Sequence, residues 1–314
     1  MGHYLVTGGC GFIGSHLVDS LLGDGHAVVV VDDLSSGHRR NLDSRARLLV
    51  GDVADRALMA QAIAGADGCF HLAAIASVAR SNEDWLGTHR TNLTGAITVF
   101  DAARGAVPVP VVYASSAAVY GAADEPYLTE DTPTRPLTAY GADKLGCELH
   151  ARVASHVHGI ATTGLRLFNV YGPRQDPHSP YSGVISIFAE RIAAGRPVTI
   201  HGDGRQTRDF VYVADVVAHL RAAMDCNRAG AAIYNVCTRQ ATSVLELARL
   251  LAQSLGVAAE VLHGPARPGD MRRAIGSPDR AIDALGVRAN ILIEAGFDRL
   301  LAAGRRPRAG GQTV

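Results

Sequence analysis

Thr7-Gly8-Gly9-Cys10-Gly11-Phe12-Ile13-Gly14 closes the short apolar run Tyr4-Leu5-Val6 and opens a helix-length segment. Three glycines so spaced between a strand and a helix let backbone amides and the helix N-terminus face a pyrophosphate. Alone the triplet is a weak signal, because a tight strand-to-helix turn also needs glycine. Its context adds weight. Asp32 stands at the end of the next apolar run, 18 residues past Gly14, where a carboxylate can accept from both hydroxyls of a ribose. That carboxylate repels a 2′-phosphate. With the second acid Asp33 beside it, and the basic pair Arg39-Arg40 only several residues further on, the pattern predicts NAD rather than NADP.

Outward from this turn, short β-branched runs alternate with helix-length segments as far as about residue 168. Tyr4–Thr7, Val28–Val31, Cys69–Leu72, Val109–Ala114 and Thr162–Leu167 read as strands, and a further strand is expected to end at Gly51-Asp52-Val53. Helices are predicted over 12–23, 55–64, 83–104 and 139–158. Continuous apolar strands separated by helices predict an α/β fold, a doubly wound parallel sheet of Rossmann type with ligands at the carboxyl ends of its strands. After Asn169 the segment Gly172 to Gly183 is rich in Pro, Gly, Ser and Tyr, which suits a structured loop over a ligand and begins a smaller lobe. Ala231–Val236 reads as a strand returning to the first sheet, followed by a helix over Thr242–Leu255. The expected division is therefore interleaved. Residues 1–168 and about 209–236 form the NAD-binding domain, and about 169–208 and 237–303 form a smaller α/β substrate lobe. The segment 304–314 lacks apolar periodicity and is expected to be disordered.

Composition narrows the partners. Formal net charge is zero with a scattered distribution of arginine, so no basic field exists to gather nucleic acid or anionic lipid. Apolar stretches such as Ala27–Val31 are far short of the roughly 20 residues that a membrane span needs, and no export signal precedes Tyr4. A cytoplasmic location is expected. The five cysteines form no CxxC pair and are odd in number, which suits reduced, buried thiols rather than a disulfide framework or a metal site.

Lys144 is the single lysine among 30 Lys and Arg residues, and it lies four residues after Tyr140 in Tyr140-Gly141-Ala142-Asp143-Lys144. An ammonium is a compact point charge that arginine does not imitate, and a spacing of four on a helix puts both side chains on one face. A nearby ammonium favours phenolate, so Tyr140 is a candidate general base. Tyr113-Ala114-Ser115-Ser116-Ala117-Ala118 follows the fourth of the five apolar strand runs, and Ser116 is placed to hydrogen-bond a substrate hydroxyl or carbonyl. Taken singly, these residues also suit an amphipathic helix with a buried tyrosine and a serine-rich strand end. Nearby, Val53, Leu72, Ala73 and Ala74 let the backbone approach a nucleotide. Asp52 is placed either to accept from the adenine amino group or to cap the helix starting near Asp55.

Through Gly8xxGly11xxGly14, Asp32, Ser115-Ser116 and Tyr140xxxLys144, the sequence resembles the extended short-chain dehydrogenase/reductase family over residues 3 to about 300. Within it the chain looks most like the nucleotide-sugar 4-epimerases, of the UDP-glucose, UDP-N-acetylglucosamine and UDP-uronate kind. The segments carrying that likeness are Leu167 to Pro177, Gly183-Val184-Ile185, His201-Gly202-Asp203-Gly204, Arg208-Asp209-Phe210 and Arg267-Pro268-Gly269-Asp270.

The resemblance implies Tyr140 as the base at the sugar 4-hydroxyl, Lys144 on the nicotinamide ribose, Ser116 on the substrate oxygen and Ser77 beside the substrate. Arg208 and Arg267 suit two phosphates, Asp270 suits a ribose hydroxyl, and Asn169 is implied to hold the diphosphate. Exposed arginines are also common surface charges. The backbone at Val184 and Thr199, with His201, is implied to frame the uracil. Ala274 occupies the place of a gate beside the sugar 2-substituent, where its small size implies tolerance of N-acetylhexosamines, although a plain strand alanine reads the same. Carbon 4 is inverted through a transient 4-keto sugar, with NAD regenerated in place.

Rival activities are a UDP-glucuronate 4-epimerase, for which Arg80 and Ser81 are within range of a carboxylate, and a 4,6-dehydratase or decarboxylase. The dehydratase needs an acid or acid pair where Ala117 and Ala118 stand. An NAD-dependent dehydrogenase with net redox turnover and a dinucleotide sensor are further alternatives, the sensor having no need of Ser116, Tyr140 and Lys144 together. The helices over 83–104 and 139–158 resemble those that pair in family homodimers.

Overall fold

The computed structural model describes residues 1–305 apart from 124, 178–182, 227–228 and 267–271. Its first half alternates β1 (His3–Thr7), α1 (Phe12–Gly23), β2 (Ala27–Asp32), β3 (Arg47–Val50), α2 (Arg56–Ile63), β4 (Gly68–His71), α3 (Val78–Glu83), α4 (Trp85–His89), α5 (Gly95–Ala102), β5 (Val111–Ser116), α6 (Ala139–His158) and β6 (Thr162–Leu167). There follow β7 (Asn169–Tyr171), α7 (Val184–Ala193), β8 (Val198–His201), β9 (Thr207–Arg208), β10 (Phe210–Tyr212), α8 (Val213–Cys226) and β11 (Ala231–Val236). The last part holds β12 (Thr242–Ser243), α9 (Val244–Leu255), β13 (Val261–Gly264), β14 (Arg273–Ala274), α10 (Asp279–Leu285) and α11 (Ile293–Arg305).

Seven strands form the predicted parallel sheet in the order β11-β6-β5-β4-β1-β2-β3. Successive strand residues feed opposite faces. Val6, Val30, Phe70 and Val112 enter a core with α1 and α8, while Leu5, Val31, Cys69 and Val111 enter one with α2, α5 and α6. That double burial is why the strands read as unbroken apolar runs instead of alternating ones. A separate apolar cluster gathers Ile185 and Phe188 of α7, Ile200 of β8, Leu247 and Leu251 of α9 and Phe297 of α11.

Three expectations change. The helix predicted over 83–104 is broken. Asp84 stands between α3 and α4, where its carboxylate accepts from the Gly87 amide at 3.0 Å, and Arg90–Thr94 widen into a π-turn before α5. The π-turn carries Asn92 inward, where its side chain accepts from the Ile75 amide at 2.8 Å and donates to the Ile75 carbonyl at 3.3 Å. A periodicity of 3.6 residues does not register an inserted residue of this kind. The helix predicted from Thr242 begins at Val244, because Thr242 and Ser243 pair with β9 and Ser243 closes a capping box with Glu246. Finally, α11 continues through Arg305, so residues 304 and 305 are helical. The rest of the expected tail, 306–314, lies outside the described residues. No helix among the described residues is long and apolar enough to cross a membrane.

Candidate active site

At the carboxyl edge of the sheet the glycine turn is built for close approach. Gly8 has φ +71°, and a Cβ there would meet the Ala73 amide nitrogen at 2.7 Å. One on Gly14 would lie 2.1 Å from the Gly8 carbonyl oxygen. Only hydrogen fits at either place, and Gly11, Phe12 and Ile13 carry the chain from the turn into α1. Asp32 faces this turn, buried. Its two oxygens accept from the Cys10 and Leu34 amides, each at 2.9 Å, so one carboxylate ties the glycine turn to the exit of β2. Burial raises the Asp32 carboxyl pKa, and neighbouring Asp33 adds to the rise against the two amide hydrogen bonds. Asp33 itself is exposed and accepts from the Ser35 amide. Burial, then the Asp32 charge, pushes the Cys10 thiol up to about 11, which leaves it protonated and inert.

A second clamp lies beside the first. The Thr7 hydroxyl oxygen accepts from the Leu72 and Ala73 amides, both at 3.2 Å, so its hydrogen is left for His71 Nδ1 at 2.8 Å. That donor count fixes His71 as the Nε2–H tautomer. Burial, then the Lys144 charge, holds the ring down to about 3, so it stays neutral. The sequence shows His71 only as part of a strand end; the available signal is that Thr7 and His71 are partners in the parallel register of β1 and β4. Ala74 follows in the same exit. Asp52 does not cap α2. It accepts from the Ala54 amide at 2.8 Å and pairs with Arg90 at 3.0 Å, while Asp55 caps the helix through the Ala57 and Leu58 amides. Val53 is buried, and Gly95 leaves no room for a Cβ against it.

Tyr140 and Lys144, the candidate acid–base pair, lie near the start of α6. Thr138 caps α6 through the Gly141 amide at 3.0 Å, which sets where the helix starts and so where Tyr140 and Lys144 stack. Lys144 is 3% exposed; its Nζ donates to the Ala114 carbonyl of β5 at 2.8 Å and lies 5.9 Å from the centre of the Tyr140 ring. Ser116 ends β5 with its Oγ accepting from the Ala118 amide at 3.1 Å, leaving its hydrogen to donate. Ser81 is fully buried. Its Oγ donates to the Val78 carbonyl at 2.7 Å and accepts from the Tyr140 amide at 3.2 Å, so both of its roles are taken within the fold, which does not favour the uronate alternative.

Ser77 is buried as the cap of α3, accepting from the Arg80 amide at 3.0 Å. Asn169 opens β7 with an exposed side chain, and Val184 opens α7. Thr199 and His201 lie in β8, with His201 Nδ1 3.2 Å from the Pro265 carbonyl. Arg208 is in β9, where it donates to the Thr207 carbonyl at 2.8 Å, and its register partner is the buried Ala274 of β14. Arg267 and Asp270 lie outside the described residues.

Sequence reasoning missed what Asp209 does between these strands. This fully buried carboxylate accepts from Thr238 N at 2.8 Å, Thr238 Oγ1 at 2.7 Å, Arg239 N at 2.9 Å and Gly276 N at 3.3 Å. It knits the exits of β9, β11 and β14 together. A cavity of about 470 Å³ also exists at the amino edge of the sheet, lined by His3, His26 and Arg47 among others, at the opposite end of the strands from the glycine turn.

The NAD dependent epimerase/dehydratase family model matches residues 4–237. A UDP-glucose 4-epimerase of Mycolicibacterium smegmatis is 39% identical over 301 residues, covering 93% of this chain and 95% of that protein. The crystal structure of the Thermotoga maritima UDP-glucose 4-epimerase with UDP-glucose superposes with a TM-score of 0.93 at 34% identity, covering 96% of this chain and 98% of that one. The Thermus thermophilus UDP-glucose 4-epimerase in complex with NAD gives 0.88 at 36% identity, covering 96% and 99%.

Proposed function

The chain belongs to the NAD dependent epimerase/dehydratase family, and from that premise we propose that it inverts carbon 4 of a UDP-hexose, interconverting UDP-glucose and UDP-galactose with NAD as resident cofactor. One observation carries this. Lys144 is tied to the Ala114 carbonyl near the carboxyl end of β5, the strand that Ser116 ends, with Tyr140 one turn before it on α6, and the same sheet edge carries a glycine cradle that a Cβ would fill and a fixed Asp32 carboxylate. Those features fit a dinucleotide whose ribose hydroxyls donate to the acid.

When bound, NAD supplies the acceptor and donor of hydride at carbon 4. The protein's own groups handle the proton and the oxygen. Tyr140 takes the proton of the 4-hydroxyl, the Lys144 ammonium favours its phenolate form, and the Ser116 hydroxyl donates to the sugar oxygen as the 4-keto sugar forms. Reversal on the other face of the keto sugar inverts the centre with no net redox change. Asn169, Arg208, Arg267 and Asp270 hold the nucleoside diphosphate, and Val184, Thr199 and His201 frame the base. Ala117 and Ala118 form the turn after Ser116 and offer no acid or base for dehydration. The small Ala274 opposite Arg208 supports acceptance of UDP-N-acetylhexosamines.

Two further parts of the proposal concern organisation. The lobes divide as 1–168 with about 209–236, and about 169–208 with 237–303. The chain acts as a C2 homodimer through α5 and α6, supported by the exposed apolar stripe Leu149, Val153 and Val157 on α6 with Ile97 on α5. Light scattering on the purified protein tests the dimer. For activity, protein denatured after purification should release NAD. A panel of UDP-glucose, UDP-galactose, UDP-N-acetylglucosamine and UDP-glucuronate without added cofactor should show gluco–galacto conversion. Turnover only with stoichiometric oxidant would instead mean a dehydrogenase.

A further inference from the structure

Beneath the acid–base face runs a polar assembly that the proposed chemistry does not use. Glu148 lies one helical turn beyond Lys144 on α6, on the same face as Tyr140 and Lys144. Its Oε1 accepts from Ser115 Oγ at 2.6 Å and from Arg166 Nε at 2.9 Å, and its Oε2 accepts from Arg166 Nη2 at 2.7 Å. Arg166 is in turn immobilised. Its Nη1 donates to the Tyr120 hydroxyl at 3.0 Å and to the Glu130 carbonyl at 3.3 Å, and its guanidinium carbon lies 4.8 Å from the centre of the Tyr120 ring. Tyr120 passes its own hydrogen to Asn235 Oδ1 of β11 at 2.6 Å. All five side-chain partners are buried, none above 5% exposed.

The placement of this assembly is specific. Ser115 and Arg166 are partners in the β5–β6 register, immediately before Ser116 and Leu167. The catalytic helix thus has two ties to consecutive residues of β5, Lys144 to the Ala114 carbonyl and Glu148 to the Ser115 hydroxyl. Sliding α6 by one residue, about 1.5 Å along its axis, would break both ties. Replacing a buried ion pair with apolar residues often leaves stability intact, so what such a pair adds best is a specified geometry. A bidentate arginine fork supplies directions that a point charge does not.

We propose that Glu148 and Arg166, acting through Ser115, are positioning residues that hold α6 in register with β5 and so set Tyr140 against Ser116. This rests on the 4-epimerase activity proposed above. Since the Ser115 hydroxyl is not among the groups proposed to meet sugar or dinucleotide, its loss should reduce kcat while leaving KM, bound NAD and thermal midpoint nearly unchanged.

The test compares the parent chain with Ser115→Ala, Ser115→Thr and Glu148→Gln on whichever UDP-sugar the parent converts, reading kcat, KM, NAD per subunit and thermal midpoint together. Ser115→Ala is expected to lower kcat about 10- to 100-fold with KM within about two-fold, as a misplacement near 1 Å does, and Ser115→Thr to restore most of it. Glu148→Gln is expected to lower kcat at least as far and, because it leaves the Arg166 charge buried without its partner, to lower the thermal midpoint as well. Ser115→Ala with kcat within about two-fold of the parent overturns the proposal, and so does a fall in kcat in Ser115→Ala matched by loss of NAD and of thermal midpoint, which marks a merely structural role. A parent that converts no UDP-sugar at carbon 4 sinks the epimerase activity itself, and that is seen in the parent alone, before any variant is compared.

Discussion

The two halves of the site are built in contrasting ways. On the dinucleotide side nearly every working group is held by the backbone. Asp32 is fixed by two amides, Thr7 by two more, and Lys144 by a strand carbonyl, all around the strands of one continuous parallel sheet. On the sugar-nucleotide side the candidate groups sit on strands of two to four residues and at a helix start, with Asn169 exposed and Arg208 and Ala274 in the short β9–β14 pair. The difference separates chemistry from choice. Changes on the first side should cost rate, whereas changes on the second should shift which sugar is taken at modest cost to the reaction.

Tyr140→Phe tests the rigid side hardest: kcat should fall about 10²- to 10⁴-fold with NAD still bound after desalting. Lys144→Arg should fall comparably despite its unchanged charge, because the buried Nζ fills a place sized for an ammonium, and retained activity would break the contrast. Asp209 is the exception on the adaptable side, a single buried acid holding three strand exits. Asp209→Asn turns an amide donor toward backbone donors and should cost about 2–4 kcal/mol in denaturant unfolding.

The pH dependence of that loss has a definite sign. Burial pushes the Asp209 carboxyl from its ordinary 3.8 up to about 6, against the hydrogen bonds from Thr238, Arg239 and Gly276. A raised value in the folded state means a contribution to stability that is fully present below 3.8 and lost as pH rises through about 6. The stability gap between parent and variant should therefore widen on acidification from 6 to 4, and a gap that narrows would contradict it. Asp32→Ala should weaken NAD retention about 10- to 100-fold by equilibrium dialysis, as removal of a charged acceptor does. Least of all, Ala274→Leu should shift the ratio of UDP-glucose to UDP-N-acetylglucosamine turnover about ten-fold, with an unshifted ratio removing Ala274 from the choice of sugar.

Legibility in the sequence follows the same divide. The limits of α1, α6, β6 and β11 can be read directly, since caps, glycines and unbroken apolar runs coincide there. So can the Tyr140–Lys144 pair, because a helix converts spacing into adjacency. The π-turn that points Asn92 at Ile75 leaves no trace in a 3.6-residue pattern, and strands of two residues have no periodicity at all. Asp209, His71 and Glu148 were hidden for another reason. Each owes its role to partners 18 to 67 residues away in sequence, brought close only by the tertiary fold.

The order of the central sheet has a consequence for the birth of the molecule. Strand β6 ends at Leu167, but the neighbour that covers its outer edge, β11, begins only at Ala231, after α7, β8 and α8 have been made. A nascent chain on the ribosome thus presents a bare apolar strand edge through that interval, the kind of edge that invites pairing with another chain. Completion of the central sheet waits on synthesis of the segment from β7 to α8. Truncation between the two would leave an aggregation-prone fragment rather than a working cofactor domain.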